Sequence, residues 1–489
     1  MLFTDLVPDI IFAILAFLDI STVISIAQTC QLLHSLAFSK SVWIALVEDL
    51  RLRSILDYGP NLQESSVDEL IQLVKRTVLG PDSWLSGPRM SAVVAQRKIH
   101  LHPPMSSSID SMPRLLPSGR HVFLNNSTIL ECWSVAEDRL VWRHKPAVEY
   151  AQVLQYAVEE KPAEGSVVIM ICERTFPPSP DVPRSNYVEI IQLDLDTGGI
   201  MELLFTLLPG PTVVDNPFYL PVICGAVAAV ATSSSQAEYL FLNWVTRSSL
   251  ALTCTCDSPE CLPQITLIPG HILFKTYNPF TAQDELLVAP LTALKPHWQP
   301  FLQQETGTLI AWSRDIVFAA DLTDLTIFSD PFLWKSIARV SVFANPLKTD
   351  AYRVWVYYVP LGGETIPASH RARHWVYFPR ASAYQSYALT VATACQWQRC
   401  APDMPPTLRN REHSLGVTYA GHTFVATYTL PITRRLWVVP RDGVSEDGGG
   451  DEHISLCRPE DECSDGDVSP FGGAVTFAKK GGIVLSYFD

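Results

Sequence analysis

The sequence predicts a multidomain chain of α+β class, with a small all-α start and a large all-β remainder. Two observations predict this. Within the first fifty residues, apolar side chains recur at helical spacing; from about residue 100 onward they recur in short runs separated by polar turns. Composition agrees: 37 Pro, 21 Phe, 16 Tyr and 12 Trp favour strands and turns over long helices. The 489 residues are 47% hydrophobic, enough for a large core.

Pro8 suits the first turn of a helix, where its missing N–H costs nothing, and Asp9 follows at the positive end of the dipole. Ile10, Ile11, Ile14, Leu15 and Leu18 then form an apolar stripe at helical spacing, which Asp19 and Ser21 interrupt. A second helical run carries Val23, Ile24, Ile26, Ala27 and Cys30 and continues through Leu32, Leu33 and Leu36. Ser39 is placed to cap a third run, with Val42, Trp43, Leu46, Val47 and Leu50. Three short helices cannot bury this many large apolar groups among themselves. They dock on the rest of the chain or present a surface to a helical partner.

The order Val7-Pro8-Asp9-Ile10-Ile11, Ile14-Leu15, Leu18-Asp19, Cys30 and Val42-Trp43 resembles the F-box. Val7 and Val42 stand where that family usually has Leu, and Gln31 and Leu32 follow the Cys where aromatic or basic residues are usual. The resemblance covers residues 5 to about 50. It implies a three-helix module over 1–50 that docks on the Skp-type adaptor of a cullin-RING (SCF) ubiquitin ligase. It also implies that the downstream region captures a protein substrate for ubiquitination. By motif position, Pro8, Ile11, Ile14, Leu15, Leu18 and Trp43 would be the adaptor-facing or core apolar set, and the pattern does not separate the two roles. Leu15 and Trp43 lead the set as adaptor contacts, because interface hot spots are usually aromatic or aliphatic anchors.

Residues 51–100 read as a helical linker. Leu52, Ile55 and Leu56 are followed by Val67, Leu70, Ile71, Leu73 and Val74, with Asp68 and Glu69 early and Lys75 and Arg76 late, as the dipole favours. Gly80-Pro81 ends the run, and Ser83-Trp84-Leu85 follows. A rigid joint is expected here, because a ligase must hold its substrate at a set distance.

Over 101–489 strand-like runs recur at Ile129–Val135, Tyr187–Asp194, Glu238–Trp244, Glu285–Ala289, Arg353–Val359, Trp375–Pro379, Arg435–Val439 and Ile483–Phe488. The clearer gaps are about 45–60 residues, the size of a four-stranded propeller blade. This predicts a degenerate six- to eight-bladed β-propeller. The chain closes on a hairpin, Gly473–Phe477 with Ile483–Phe488. It carries neither recurrent Gly-His and Trp-Asp pairs nor, with 24 Gly, a double-glycine repeat. The layout is similar to that of divergent fungal F-box proteins with a C-terminal propeller. Stacked sandwiches are the competing all-β arrangement.

Chemistry-bearing motifs are sparse. The P-loop, Gly-x-Gly-x-x-Gly, His-Glu-x-x-His and Gly-x-Ser-x-Gly patterns are missing, so no catalytic residue, cofactor or metal is predicted. Cys254-Thr255-Cys256 with Cys261 lacks the spacing of a closed four-ligand zinc site and reads as a strand end and loop. Cys395 with Cys400, and Cys457 with Cys463, read the same way. Eleven Cys, an odd count with several in apolar runs, point to a reducing compartment, cytoplasmic or nuclear. The sequons at Asn125 and Asn126 then read as a polar turn. The start of the chain lacks a basic leader, and Pro8, Asp9 and Asp19 within Leu6–Ala27 argue against a membrane span.

The net charge is −14, which argues against nucleic-acid binding as the main role. Ten acidic and two basic residues within 441–467 supply −8 of it, leaving −6 elsewhere. That segment reads as a solvated insertion, or as a regulatory or partner-binding loop. His370-Arg371-Ala372-Arg373-His374 and Arg409-Asn410-Arg411 are basic islands fit for an acidic substrate segment. The leading expectation is a non-catalytic substrate receptor. The alternatives are a non-ubiquitinating F-box/propeller scaffold and a propeller hydrolase or lectin-like domain.

Overall fold

The computed structural model describes residues 6–57, 61–84, 93–101, 112–126, 129–146, 148–179, 184–207, 217–233, 237–254, 264–278, 283–304, 307–309, 317–319, 322, 326–328, 335–360, 372–379, 383–387, 416–429, 433–439, 454–455, 466–479 and 481–488. Cys256, Cys261, Cys395, Cys400, Cys457, Cys463, His370, Arg371, Arg409 and Arg411 lie outside them, as does most of the acidic segment 441–467.

The chain opens with five helices: α1 (Pro8–Ala16), α2 (Ile20–Ala27), α3 (Gln31–Ala37), α4 (Lys40–Leu52) and α5 (Val67–Leu79). The second run expected from sequence is two helices, so residues up to 52 form four helices rather than three. Cys30 is the reason: its backbone is extended, with φ −160° and ψ 162°, and it breaks the hydrogen-bond ladder between α2 and α3. Asp19 does more than interrupt α1. Its Oδ1 accepts the Thr22 N–H at 2.7 Å and the Ser21 hydroxyl at 2.8 Å, capping α2. Ser39 occupies the N-cap position of α4, but its side chain makes no capping bond. Ile55 and Leu56 are not helical; Ser54, at φ 55°, turns the chain after α4 and leaves both buried in a loop. α5 starts with a reciprocal capping box between Ser66 and Glu69.

All five helices share one core. Ile11, Leu15, Val23, Ala37, Trp43, Val47 and Leu50 pack with Leu70 and Val74 of α5. No helix among the described residues is long and apolar enough to cross a membrane.

The strands form seven sheets among the described residues, each built on four antiparallel strands. Strand β1 (Val93–His100) precedes all the others in the chain. Sheet one holds β2 (Met112–Leu115), β3 (His121–Asn125), β4 (Leu130–Ser134) and β5 (Arg139–Arg143). Sheet two holds β6 (Ala151–Lys161), β7 (Ser166–Thr175), β8 (Asn186–Asp194) and β9 (Ile200–Leu207). Sheets three to six are built by 219–254, 265–328, 335–387 and 416–455. Sheet seven holds Gly466–Val468, Ala474–Lys479 and Gly482–Phe488.

The first strands of neighbouring sheets lie side by side: β6 against Tyr219–Cys224, that strand against Ile265–Ile268, and Gly416–Val417 against Gly466–Val468. Ile265–Ile268 in turn meets Lys335–Ala344, and β2 meets Gly466–Val468. Sheets one and two share a core of Phe123, Cys132, Trp142, Ile169 and Ile191. Trp355 Nε1 of sheet five donates to the Tyr419 carbonyl of sheet six. Among the described residues the seven sheets form a closed ring, a β-propeller.

β1 closes the ring. It pairs antiparallel with Gly482–Phe488, from Val93 opposite Phe488 to His100 opposite Gly482, and so supplies the outer strand of sheet seven. Residues 93–100, read from sequence as the end of the linker, therefore belong to the propeller. Each of the eight strand runs read from sequence falls on a strand, and the expected terminal hairpin is present. Between Pro290 and Thr326 the chain leaves sheet four before adding its fourth strand. On the way Leu302–Gln304 and Gly307–Leu309 extend sheet two, and Gln299–Pro300 and Val317–Phe318 extend sheet three.

Candidate functional site

α1 is apolar on nearly every side, which is unusual for a helix at a protein surface. The structure divides its apolar residues into two neighbouring stripes. Ile11 and Leu15 face inward and are completely buried, with Phe12 and Leu18 half-buried beside them. Val7, Ile10, Ile14 and Phe17, spaced at i, i+3, i+7 and i+10, form the outer stripe. Phe17 is 92% exposed and Ile10 49%. Leu32 of α3 adds another exposed apolar side chain.

The six residues singled out from sequence divide between these environments. Ile11, Leu15 and Trp43 are core; Trp43 stacks on Phe38 with ring centroids 5.9 Å apart. Leu18 is half-buried against that core, Ile14 is half-buried on the outer stripe, and Pro8 is exposed at the start of the helix. Leu15 and Trp43, the leading adaptor contacts by motif, are thus turned into the helical core. Ile10 and Phe17 take the outward positions. The i, i+7 spacing puts Ile10 and Phe17 on one face, about 100° round from Ile11, Leu15 and Leu18, but does not say which of the two faces is outward.

The helices sit on the propeller through the turns that join first and second strands. Ser21 N–H donates to the Leu347 carbonyl at 2.9 Å, and Arg53 Nη2 to the Asn345 carbonyl at 2.6 Å, both on the first turn of sheet five. Arg76 donates to the Phe488 carbonyl, and His422 Nε2 to the Leu79 carbonyl at 3.1 Å. Ala344, Leu347 and Phe471 of the propeller pack against the helical core. Trp84 is fully buried between His422 and Phe488, at ring distances of 5.5 and 5.6 Å. The fit is close: at Gly80, with φ +86°, an added Cβ would lie 2.5 Å from His422 Nε2. Helices and propeller are therefore joined by packed side chains and propeller turns rather than by a tether.

Two carboxylates mark this joint. Burial pulls the Asp19 carboxyl upward, but the bonds from Thr22 and Ser21, with Lys348 of the propeller nearby, hold it below its ordinary range. Asp57 shows the opposite balance. Burial pushes its pKa up to about 6, opposed by Arg76, reinforced by Glu160 and opposed again by Arg51. Gly119 and Gly472 come so close that a Cβ on either would lie 3.0–3.2 Å from the Asp57 carboxyl group.

Because the helices cover the side bearing the first-to-second strand turns, the opposite side of the ring carries the connections between second and third strands and between blades. That side is left open by the helices.

No protein-family model matches the chain, and no curated protein matches it. Among solved structures it is similar to the β-propeller domain of Cps50 (Swd1) from Myceliophteria thermophila, at 10% identity and a TM-score of 0.42, over 81% of this chain and all of that one. It is also similar to the hydrazine synthase of Kuenenia stuttgartiensis, at 10% identity and a TM-score of 0.39, over 79% and 97% of the two chains. The propeller domain of the Trilobed protease from Pyrococcus furiosus follows, at 8% identity and 0.31, over 67% and 79%. The ring described above rests on the strand pairing of this chain itself.

Proposed function

We propose that this protein is a substrate receptor of an SCF-type ubiquitin ligase. In this reading the helices dock on a Skp-type adaptor and, through it, a cullin-RING ligase, while the open side of the propeller binds a protein substrate. The observation that carries the reading is the outer stripe of α1. Val7, Ile10, Ile14 and Phe17 are apolar and outward on a helix whose inner stripe is already satisfied. Placing Phe in water is costly and gains nothing for the fold, so the stripe fits a partner surface. The F-box-like order, which includes Val7, Ile10 and Ile14 but not Phe17, supplies the class of partner. The packed joint supports the reading too, since a receptor must present its substrate in a fixed relation to the ligase.

The test is co-purification of the full chain with a Skp-type adaptor, followed by calorimetric titration. Binding at micromolar Kd or tighter is expected, with loss in Phe17→Asp and Ile10→Asp variants whose melting temperatures match wild type. Cullin in the recovered complex separates a ligase receptor from a non-ubiquitinating scaffold. If wild-type protein fails to bind the adaptor at micromolar concentration, the reading is wrong.

A further inference from the structure

Three donor side chains converge where sheet one meets sheet two, at the open end of the propeller. His144 directly follows β5, the outermost strand of sheet one. Glu173 lies near the end of β7 and Glu189 near the start of β8, diagonal to each other across the ladder in which Cys172 pairs with Val188. His144 and Glu173 are only 5% and 3% exposed, and Glu189 is half-buried. One donor atom from each residue lies within 4.8 Å of the other two. His144 Nε2 is hydrogen-bonded to Glu173 Oε1, and the His144 backbone N–H is fixed on the Leu130 carbonyl at 2.8 Å.

The charge balance of this cluster is poor without a further cation. A single imidazole stands against two carboxylates. Two carboxylates and one imidazole brought together in a protected site are the donor set of a divalent metal.

We propose that His144 Nε2 and the Glu173 and Glu189 carboxylates bind a divalent transition-metal ion of the zinc type, linking the first two blades. Zinc–nitrogen and zinc–oxygen bonds of about 2.0–2.2 Å require donors roughly 3.4 Å apart, within reach of small side-chain rotations from the present spacing. Zinc would displace any proton held between His144 and Glu173, and that proton leaves to solvent. Three protein ligands leave one position for water, on the half-buried Glu189 side. The imidazole distinguishes this site from calcium and magnesium sites, which are built from oxygen alone.

The full chain, stripped with EDTA, is titrated with Zn²⁺ by calorimetry and with Co²⁺ by visible absorption. One ion per chain is expected, with Co²⁺ d–d bands and a rise in melting temperature on adding Zn²⁺. Glu189→Gln should weaken Zn²⁺ binding by about tenfold or more and abolish the thermal response. In EDTA, however, it should melt at or above the wild-type temperature, because the substitution relieves the carboxylate repulsion. His144→Ala should also lose binding; if it does not fold, Glu189→Gln with a matched far-UV spectrum decides. Equal Zn²⁺ affinity in wild type and Glu189→Gln would overturn the proposal. So would a larger thermal response to Ca²⁺ or Mg²⁺ than to Zn²⁺.

Discussion

Asp57 is a carboxylate that folding holds against its preference. Its pKa is raised from 3.8 to about 6 because it is buried between α5 and the turns of sheets one and seven, and two arginines offset only part of that cost. The folded state therefore binds its proton more tightly than the unfolded chain does. This contribution is fully present below about pH 4, declines as pH rises towards 6, and is lost above it. A rise of this size corresponds to ~3 kcal/mol at most. Asp57→Asn should raise the melting temperature at pH 7.5 and flatten the stability profile between pH 4 and 6, measured by thermal melts across that range. A variant less stable than wild type at pH 7.5 would mean that the arginine contacts outweigh burial. Nothing local in the sequence marks this residue: Asp57 sits in an ordinary-looking polar loop, and the groups that enclose it include the distant Gly119 and Gly472.

At the scale of elements, the two stripes of α1 make opposite predictions from chemically similar residues. Leu15→Ala opens a hole in a core shared by five helices and should cost about 2–5 kcal/mol, seen as a lower urea midpoint. Phe17→Ala should leave stability within about 0.5 kcal/mol of wild type, because the ring touches mostly water. The sequence could not tell these positions apart: both are apolar and both keep helical spacing, and only the placement of α3 and α4 decides which stripe is inside. Helix boundaries are legible where punctuation is local, as at Pro8 and Gly80. They are hidden at Cys30, where an extended residue with no Gly or Pro beside it splits what reads as one helical run. Strands announced by aromatic and β-branched runs, such as Arg353–Val359, are legible too. The short outer strand Thr326–Phe328 is not, because its pairing with Leu286–Val288 is a distant contact that no local pattern encodes. The same non-locality hides the His144, Glu173 and Glu189 cluster, whose members have no motif spacing.

The whole molecule is closed by one strand that serves two neighbours. Gly482–Phe488 pairs with β1 on one edge and with Ala474–Lys479 on the other, while the Phe488 carbonyl accepts Arg76 and its ring meets Trp84. Ring closure and docking of the helices therefore meet at the same place. Two truncations separate them. Removing residues 1–84 leaves β1 to close the ring but uncovers Phe488, His422, Leu347 and Phe471. At about 1.5–3 kcal/mol for burial of each large apolar side chain, the propeller should still melt cooperatively, but several degrees lower. Removing residues 1–100 also takes Ile99, fully buried in the core shared with Leu124, Trp133 and Leu485, and strips the outer strand from sheet seven. An unpaired edge and an open ring should then abolish the cooperative transition and expose the chain to limited proteolysis. If the two truncated chains melt alike, β1 does not carry closure. The same geometry bears on how adaptor binding is tested: deleting the helices perturbs the propeller, whereas Phe17→Asp changes the outer stripe and leaves the joint intact.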